Sequence, residues 1–253
     1  MKILVTNDDG IYAEGIKELA ITLSKVGEVV IVAPDRERSG TGHAITVHHP
    51  LRLEEIKLPN VNLKAYSVNG TPSDCVKLAV EALLPKKPDI IFSGINRGPN
   101  LGTDVIYSGT VSAAVEGAIL GIPSVAVSLA AYENVKYGIA AEFALKTAKK
   151  IIESGLETDT ILNINVPSVE KDDIMGVSVT TLGVRRYTNT FEKRIDPRGK
   201  VYYWLAGEVI EDNLDINTDV GAVKNNYISI TPIHFDLTKF ELLEKIKKWN
   251  LSL

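Results

Sequence analysis

Two adjacent carboxylates, Asp8 and Asp9, follow the stretch Ile3-Leu4-Val5-Thr6 after the single residue Asn7. At the end of a buried strand such a pair is costly, because like charges repel and partial burial strengthens the repulsion. A cation between them removes that cost. In open α/β sheets, ligands bind outside the carboxyl ends of the strands. The first ten residues therefore point to a metal site at the mouth of a sheet. A plainer reading competes with it: Asp9-Gly10 is a turn signal, and either Asp can cap a following helix. Two further polar stretches shift the balance. One is Asp35-Arg-Glu-Arg-Ser-Gly-Thr-Gly-His43. The other is Ser93-Gly-Ile-Asn-Arg-Gly-Pro-Asn-Leu-Gly102, leading into Tyr107-Ser-Gly-Thr-Val-Ser112.

The donors in these stretches are oxygens: the carboxylates of Asp8 and Asp9, the hydroxyl of Ser39 and the amide oxygen of Asn96. An oxygen set without clustered Cys or His selects a hard cation, Mg²⁺, Mn²⁺ or Ca²⁺, over Zn²⁺. Ser108, Gly109 and Thr110 bring hydroxyls and free backbone N–H groups to a helix N-terminus, which suits an anion of phosphate size. Arg36, Arg38 and Arg97 add positive charge to the same loops. A hard cation beside an anion pocket is an arrangement for phosphoryl chemistry, in which the metal polarises the phosphate and lowers the pKa of a water. Asp8 or Asp9 would orient or deprotonate that water, and Asn96, Ser108 and Thr110 would hold phosphate oxygens. His43 is a candidate phosphate contact and a candidate proton donor to the leaving alkoxide.

The elements that must position these residues alternate. Ile3–Thr6 reads as a strand and Glu14 to Lys25 as an amphipathic helix with Ile16, Leu19, Ala20 and Leu23 on one face. Glu28 to Ala33 is a second buried strand, ended by Pro34. Ile45–Leu53 and Leu63–Val68 read as extended, and Ser73–Leu84 as a helix opened by Pro72 and closed by Pro85. Asp89–Ser93 is a strand, Gly94–Ser108 a loop, Gly109–Leu120 a helix rich in small residues and Ser124–Leu129 a strand. Strands spaced by helices predict a mainly parallel sheet covered on both faces, a three-layer Rossmann-like α/β core. Residues 1–130 hold that core and the site. Residues 131–253 continue one single domain, with a helix at Ala140–Ser154, strands at Thr160–Val166, Val177–Val184 and Tyr227–Thr231, and a terminal helix at Lys239–Asn250. Between them, about residues 185–208, Arg and Lys mix with Tyr187, Phe191, Tyr202, Tyr203 and Trp204 around the turn Pro197-Arg-Gly199. This predicts a projecting hairpin whose residue types favour a subunit contact.

Composition narrows the field. At 253 residues the chain can bury roughly 70–75% of its unfolded surface, so it needs neither disulfide nor structural metal to fold. A single cysteine, Cys75, excludes a disulfide framework and reads as a core residue. A net charge of −4 gives no electrostatic case for a nucleic-acid polymer as partner. No apolar run reaches membrane-spanning length, and the N-terminus reads as a strand, so the expectation is no membrane partner and a cytoplasmic protein.

Several long motifs, in order, carry a resemblance: Val5-Thr-Asn-Asp-Asp-Gly10, Ala33-Pro-Asp-Arg-Glu-Arg-Ser-Gly40, Asn69-Gly-Thr-Pro-Ser-Asp-Cys75, Ser93 to Gly102, Ser108-Gly-Thr-Val-Ser-Ala-Ala114 and Ile230-Thr-Pro232. The whole chain resembles the stationary-phase survival protein SurE family of metal-dependent nucleotidases. The resemblance implies that Asp8, Asp9, Ser39 and Asn96 hold one divalent metal ion per subunit. It also implies hydrolysis of nucleoside monophosphates at the 5′ position, with 3′-nucleotides and short polyphosphate as further substrates. Finally, it implies self-association to a dimer or tetramer through the hairpin and an exchanged C-terminal segment. Three readings stand against a nucleotidase. A phosphatase with an aspartyl-phosphate intermediate wants acidic residues one position apart, whereas these are adjacent. A dinucleotide-dependent oxidoreductase wants a G-x-G-x-x-G at the first helix, which is missing. A non-catalytic nucleotide or phosphate sensor would use the same pocket.

Overall fold

Strand β1 (Lys2–Thr6) sends Ile3 and Val5 to one face of a sheet and Leu4 to the other, and all three are fully buried. In β2 (Glu28–Pro34), Val29, Ile31 and Ala33 take the first face and Val30 and Val32 the second. Only a sheet covered on both sides accommodates such runs. The computed structural model of the chain, which describes residues 1–210 and 215–251, supplies both covers. Helices α1 (Glu14–Leu23) and, later, α4 (Gly138–Ser154) pack on the Ile3 face. Helices α2 (Pro72–Leu78) and α3 (Gly109–Ile119) pack on the Leu4 face, where Cys75 is buried.

The remaining strands of the first part are β3 (Leu53–Ile56), β4 (Lys64–Val68), β5 (Ile90–Arg97), β6 (Ser124–Ala130) and β7 (Thr160–Pro167). After them come β8 (Gly176–Val179), β9 (Arg186–Thr188), β10 (Phe191–Ile195), β11 (Val201–Leu205), β12 (Glu208–Ile210), α5 (Asp219–Lys224), β13 (Tyr227–His234) and α6 (Phe240–Lys247). The central sheet runs β3-β4-β2-β1-β5-β6-β7-β13-β8. It is parallel from β4 to β7, with β3 antiparallel at one edge and β13 antiparallel to β7. The chain builds outward from β1 through β2 and β4, then returns past β1 to β5. That reversal makes the crevice between β1 and β5 the switch point, the place where such sheets bind ligands.

Several local expectations differ from the fold. Residues 45–52 form no strand, and the edge strand β3 begins only at Leu53. Pro50 cannot donate to a ladder, and Thr46 is instead bound through its N–H and hydroxyl to Asp74. The helix expected from Ser73 to Leu84 winds as α only to Leu78 and ends in a π turn over Ala79–Leu83. β5 runs past Ser93 to Arg97, with a register shift against β6 between Gly94 and Asn96. Bulges of this kind re-aim side chains beside active sites. The arm at 185–208 is two nested ribbons, β10 with β11 and β9 with β12. Helix α5 has no counterpart in the periodicity.

Candidate functional site

Asp8 and Asp9 leave β1 at the switch point, and each of the other two loops holds one of them. Asp8 is only 4% exposed. Its carboxylate Oδ1 accepts a hydrogen bond from the Thr110 hydroxyl in the first turn of α3, and its backbone carbonyl accepts the Arg38 N–H at 2.7 Å. Asp9 Oδ2 accepts the Arg97 backbone N–H at 3.0 Å. Thus the ends of β1, β2 and β5 and the start of α3 meet on two carboxylates. Burial pushes the Asp8 carboxyl up to about 6; the Thr110 hydroxyl opposes that rise and the Asp9 charge adds to it. Burial also raises Asp9, against the Arg97 N–H, with the Glu37 charge adding to the rise. Beside them the Asn7 amide donates to the Gly10 carbonyl at 2.9 Å, while its Oδ1 is buried without a hydrogen-bond partner.

A carboxylate pair with Asp8 buried and Asp9 half-buried, under this electrostatic load, fits a bound cation. Among the described residues no three His, Cys, Asp or Glu side chains gather as a cage, so the rest of an oxygen shell must come from uncharged donors. Ser39 lies one residue beyond the Arg38 bond to Asp8, and Asn96 one residue before the Arg97 bond to Asp9. The Asn96 amide nitrogen donates to the Gly98 carbonyl at 2.8 Å, which leaves its oxygen as the outward function. The Ser39 hydroxyl donates to Glu37 at 2.8 Å.

The anion side is more constrained than its sequence suggests. Ser108 caps α3 by accepting the Val111 N–H at 3.0 Å. The Thr110 side chain is committed to Asp8, so the groups left for an anion are the Ser108 O–H and the Gly109 N–H. Of the arginines, Arg38 binds the Asn69 carbonyl at 2.8 Å and Asp35 at 3.4 Å, and Arg36 lies 4.0 Å from Asp35. Arg97 reaches Asp9 with its backbone N–H, and its positive charge also lowers the Asp9 pKa.

His43 meets neither Asp8, Asp9 nor Thr110. Its Nε2 pairs with Glu116 at 2.8 Å, two turns along α3 from the cap, and Lys77 reaches the same carboxylate at 3.4 Å. Burial opposes ionisation of Glu116, but the hydrogen bond and charge of His43, with Lys77, outweigh it and lower its pKa. The Ser39 loop is therefore fastened to α3 by His43, to the turn before it by the Gly42 N–H on the Tyr107 carbonyl, and to α2 by Thr46 on Asp74. His43→Ala will leave Glu116 with Lys77 alone and reduce stability by about 1–3 kcal/mol, read as a lower urea midpoint at unchanged slope. The stabilisation that Glu116 contributes is complete above the ordinary glutamate range and is lost as falling pH titrates it through its lowered value.

The sequence also gave no sign of the support for the loop between Asn96 and Ser108. Asp219, fully buried at the start of α5, accepts N–H groups from Gly102, Gly183 and Val220 at 2.7, 2.7 and 2.8 Å. Asp104 pairs with Arg185 at 2.7 Å and accepts the Tyr187 hydroxyl.

Known proteins resemble this chain over its full length. Residues 3–189 match the family described as survival protein SurE. The chain is 55% identical over 253 residues to the 5′-nucleotidase SurE of Alkaliphilus metalliredigens, covering 100% of both chains. It is 56% identical over 258 residues to the 5′-nucleotidase SurE of Natranaerobius thermophilus, again covering 100% of each. The crystal structure of the SurE protein from Aquifex aeolicus superposes with a TM-score of 0.87 at 43% identity, covering 99% of this chain and 100% of that one.

Proposed function

Because the chain belongs to the survival protein SurE family, we propose that it is a divalent-metal-dependent phosphomonoesterase, a 5′-nucleotidase that converts nucleoside monophosphates to nucleoside and phosphate. The observation that carries this reading is the Asp8–Asp9 pair at the switch point, Asp8 buried and Asp9 half-buried, with the N-terminus of α3 set against Asp8. Asp8, Asp9, Ser39 and Asn96 would hold one Mg²⁺ or Mn²⁺ per subunit, with Ca²⁺ able to take the same oxygens. When bound, the cation lowers the pKa of water and polarises a phosphoryl oxygen. Thr110 and the Arg97 N–H fix the two carboxylates, and the Asp8–Asp9 pair takes up the proton of the attacking water. Asn96, the Ser108 hydroxyl and the Gly109 N–H orient the phosphate, while Thr110 contributes by holding Asp8. Self-association to a dimer or tetramer belongs to the same proposal. It is supported by the exposed Phe191, Tyr203, Trp204 and Leu205 of the arm, and by α6, which buries none of its residues against its own chain.

The test is phosphate release from nucleoside monophosphates by purified protein with Mg²⁺ or Mn²⁺. Release that stops on chelation and returns with added metal supports the nucleotidase. Tight nucleotide binding without release, in the presence of metal, would replace it with the sensor reading. The same assay on 3′-nucleotides and short polyphosphate sets the breadth of the substrate range.

A further inference from the structure

Each of the four oxygen donors has one of its own hydrogen-bonding functions taken up by a neighbour. Thr110 binds Asp8 Oδ1, the Arg97 N–H binds Asp9 Oδ2, and the Gly98 carbonyl takes the Asn96 amide N–H. The fourth case is Ser39. A neutral hydroxyl binds a cation through a lone pair, so its proton must point elsewhere. The Ser39 O–H donates to Glu37 Oε1 at 2.8 Å. Glu37 is also held near the carboxylate pair. A Cβ on Gly10, whose φ is +96°, would lie 2.9 Å from the Arg36 carbonyl carbon and 3.2 Å from the Glu37 nitrogen. The backbone at 36–38 is therefore laid directly across the backbone at 8–10, and the Arg38 N–H on the Asp8 carbonyl fixes the overlap.

We propose that Glu37 is a positioning residue for the metal: it takes the Ser39 hydroxyl proton, turns the oxygen lone pairs toward the cation, and places a third negative charge behind the Asp8–Asp9 pair. The inference rests on the assignment of Ser39 to the cation. Partners of this kind fix ligand orientation and typically change metal affinity by about 10–100-fold when removed.

The experiment is a titration of the purified full-length protein with Mn²⁺ alone, followed by calorimetry or by the electron paramagnetic resonance signal of free Mn²⁺. Glu37→Ala should weaken Mn²⁺ binding about tenfold, with unchanged melting temperature because Glu37 is exposed. Glu37→Gln keeps an acceptor for the Ser39 proton and should recover part of that loss. In a Ser39→Ala background, Glu37→Ala should cost less than it does alone, because the hydroxyl it orients is gone. Three results overturn the proposal: Mn²⁺ affinity of Glu37→Ala within twofold of the parent, a Gln variant no better than Ala, or an undiminished Glu37→Ala loss without Ser39. The Mn²⁺ titration needs no substrate. If phosphate release fails in the parent while the cycle holds, the nucleotidase reading falls and this one stands. Normal release with Mn²⁺ binding indifferent to Glu37 gives the reverse.

Discussion

Asp9→Asn will abolish phosphate release while leaving the fold at least as stable as the parent. Asn keeps the size of Asp9, and its amide oxygen can still accept the Arg97 N–H seen at 3.0 Å. What it lacks is the charge that holds a cation and the base that shares the attacking water's proton. Loss of a general base alone removes about 10²–10⁴-fold in rate, and loss of a metal ligand adds to it, so turnover should fall by at least about 10³-fold. Stability should move the other way. Burial raises the Asp9 carboxyl, and its charge in turn raises Asp8. A charge disfavoured in the folded state destabilises it at neutral pH, so the neutral amide relieves the site. The combined readout is thermal melting, Mn²⁺ titration and phosphate release on one preparation. Near-normal activity in Asp9→Asn would remove the metal assignment. A collapsed melting transition would show instead that Asp9 is needed for the fold.

The second large effect is expected from one methyl group. A Cβ on Gly109 would lie 2.8 Å from the Asp8 Cβ and 2.9 Å from its Oδ2, closer than side chains pack. Asp8 is buried and tied to Thr110, so it has no room to withdraw. Gly109→Ala must move either the Asp8 carboxylate or the start of α3, and both belong to the site. A displacement near 1 Å costs about 10²-fold in rate, and Mn²⁺ affinity should fall with it. Gly138→Ala is the matched control: a Cβ there meets nothing within 4 Å, and activity should be unchanged. Equal behaviour of the two variants would mean that the contact between α3 and Asp8 is not needed for turnover.

The parts of this molecule that could be read from its sequence are those in which neighbours along the chain carry the signal. β1 and β2 were legible because Ile3-Leu4-Val5 and Val29-Val30-Ile31-Val32 are apolar at every position, and a parallel sheet buries both faces. The caps of α2 and α3 were legible at Thr71–Asp74 and Ser108, where side chain and backbone are three residues apart. Asp8 and Asp9 stood out because two adjacent charges need a reason. The arrangements that escaped join distant residues. Glu116 with His43, Asp104 with Arg185, and Asp219 with Gly102 are separated by 73, 81 and 117 positions, and no local spacing encodes them. The arginines misled for a related reason. Composition gave them charge near an anion, but the fold uses the guanidinium of Arg38 on Asn69, and Arg97 meets Asp9 through its backbone N–H as well as its charge. Helix α5 was hidden because its six residues are too few to show a period.

Asp219 finally bears on how this chain can be divided. The regular alternation of strand and helix ends with β7 at Pro167, which invites a cut between a chemical part and a scaffolding part. Yet the loop from Asn96 to Ser108 is stitched to a carboxylate 117 residues downstream of Gly102. That carboxylate also gathers Gly183 at the root of the projecting arm. Asp219 therefore ties the two together at the crevice. Insertions that sever this stitch would loosen the crevice while the sheet beneath it still stood.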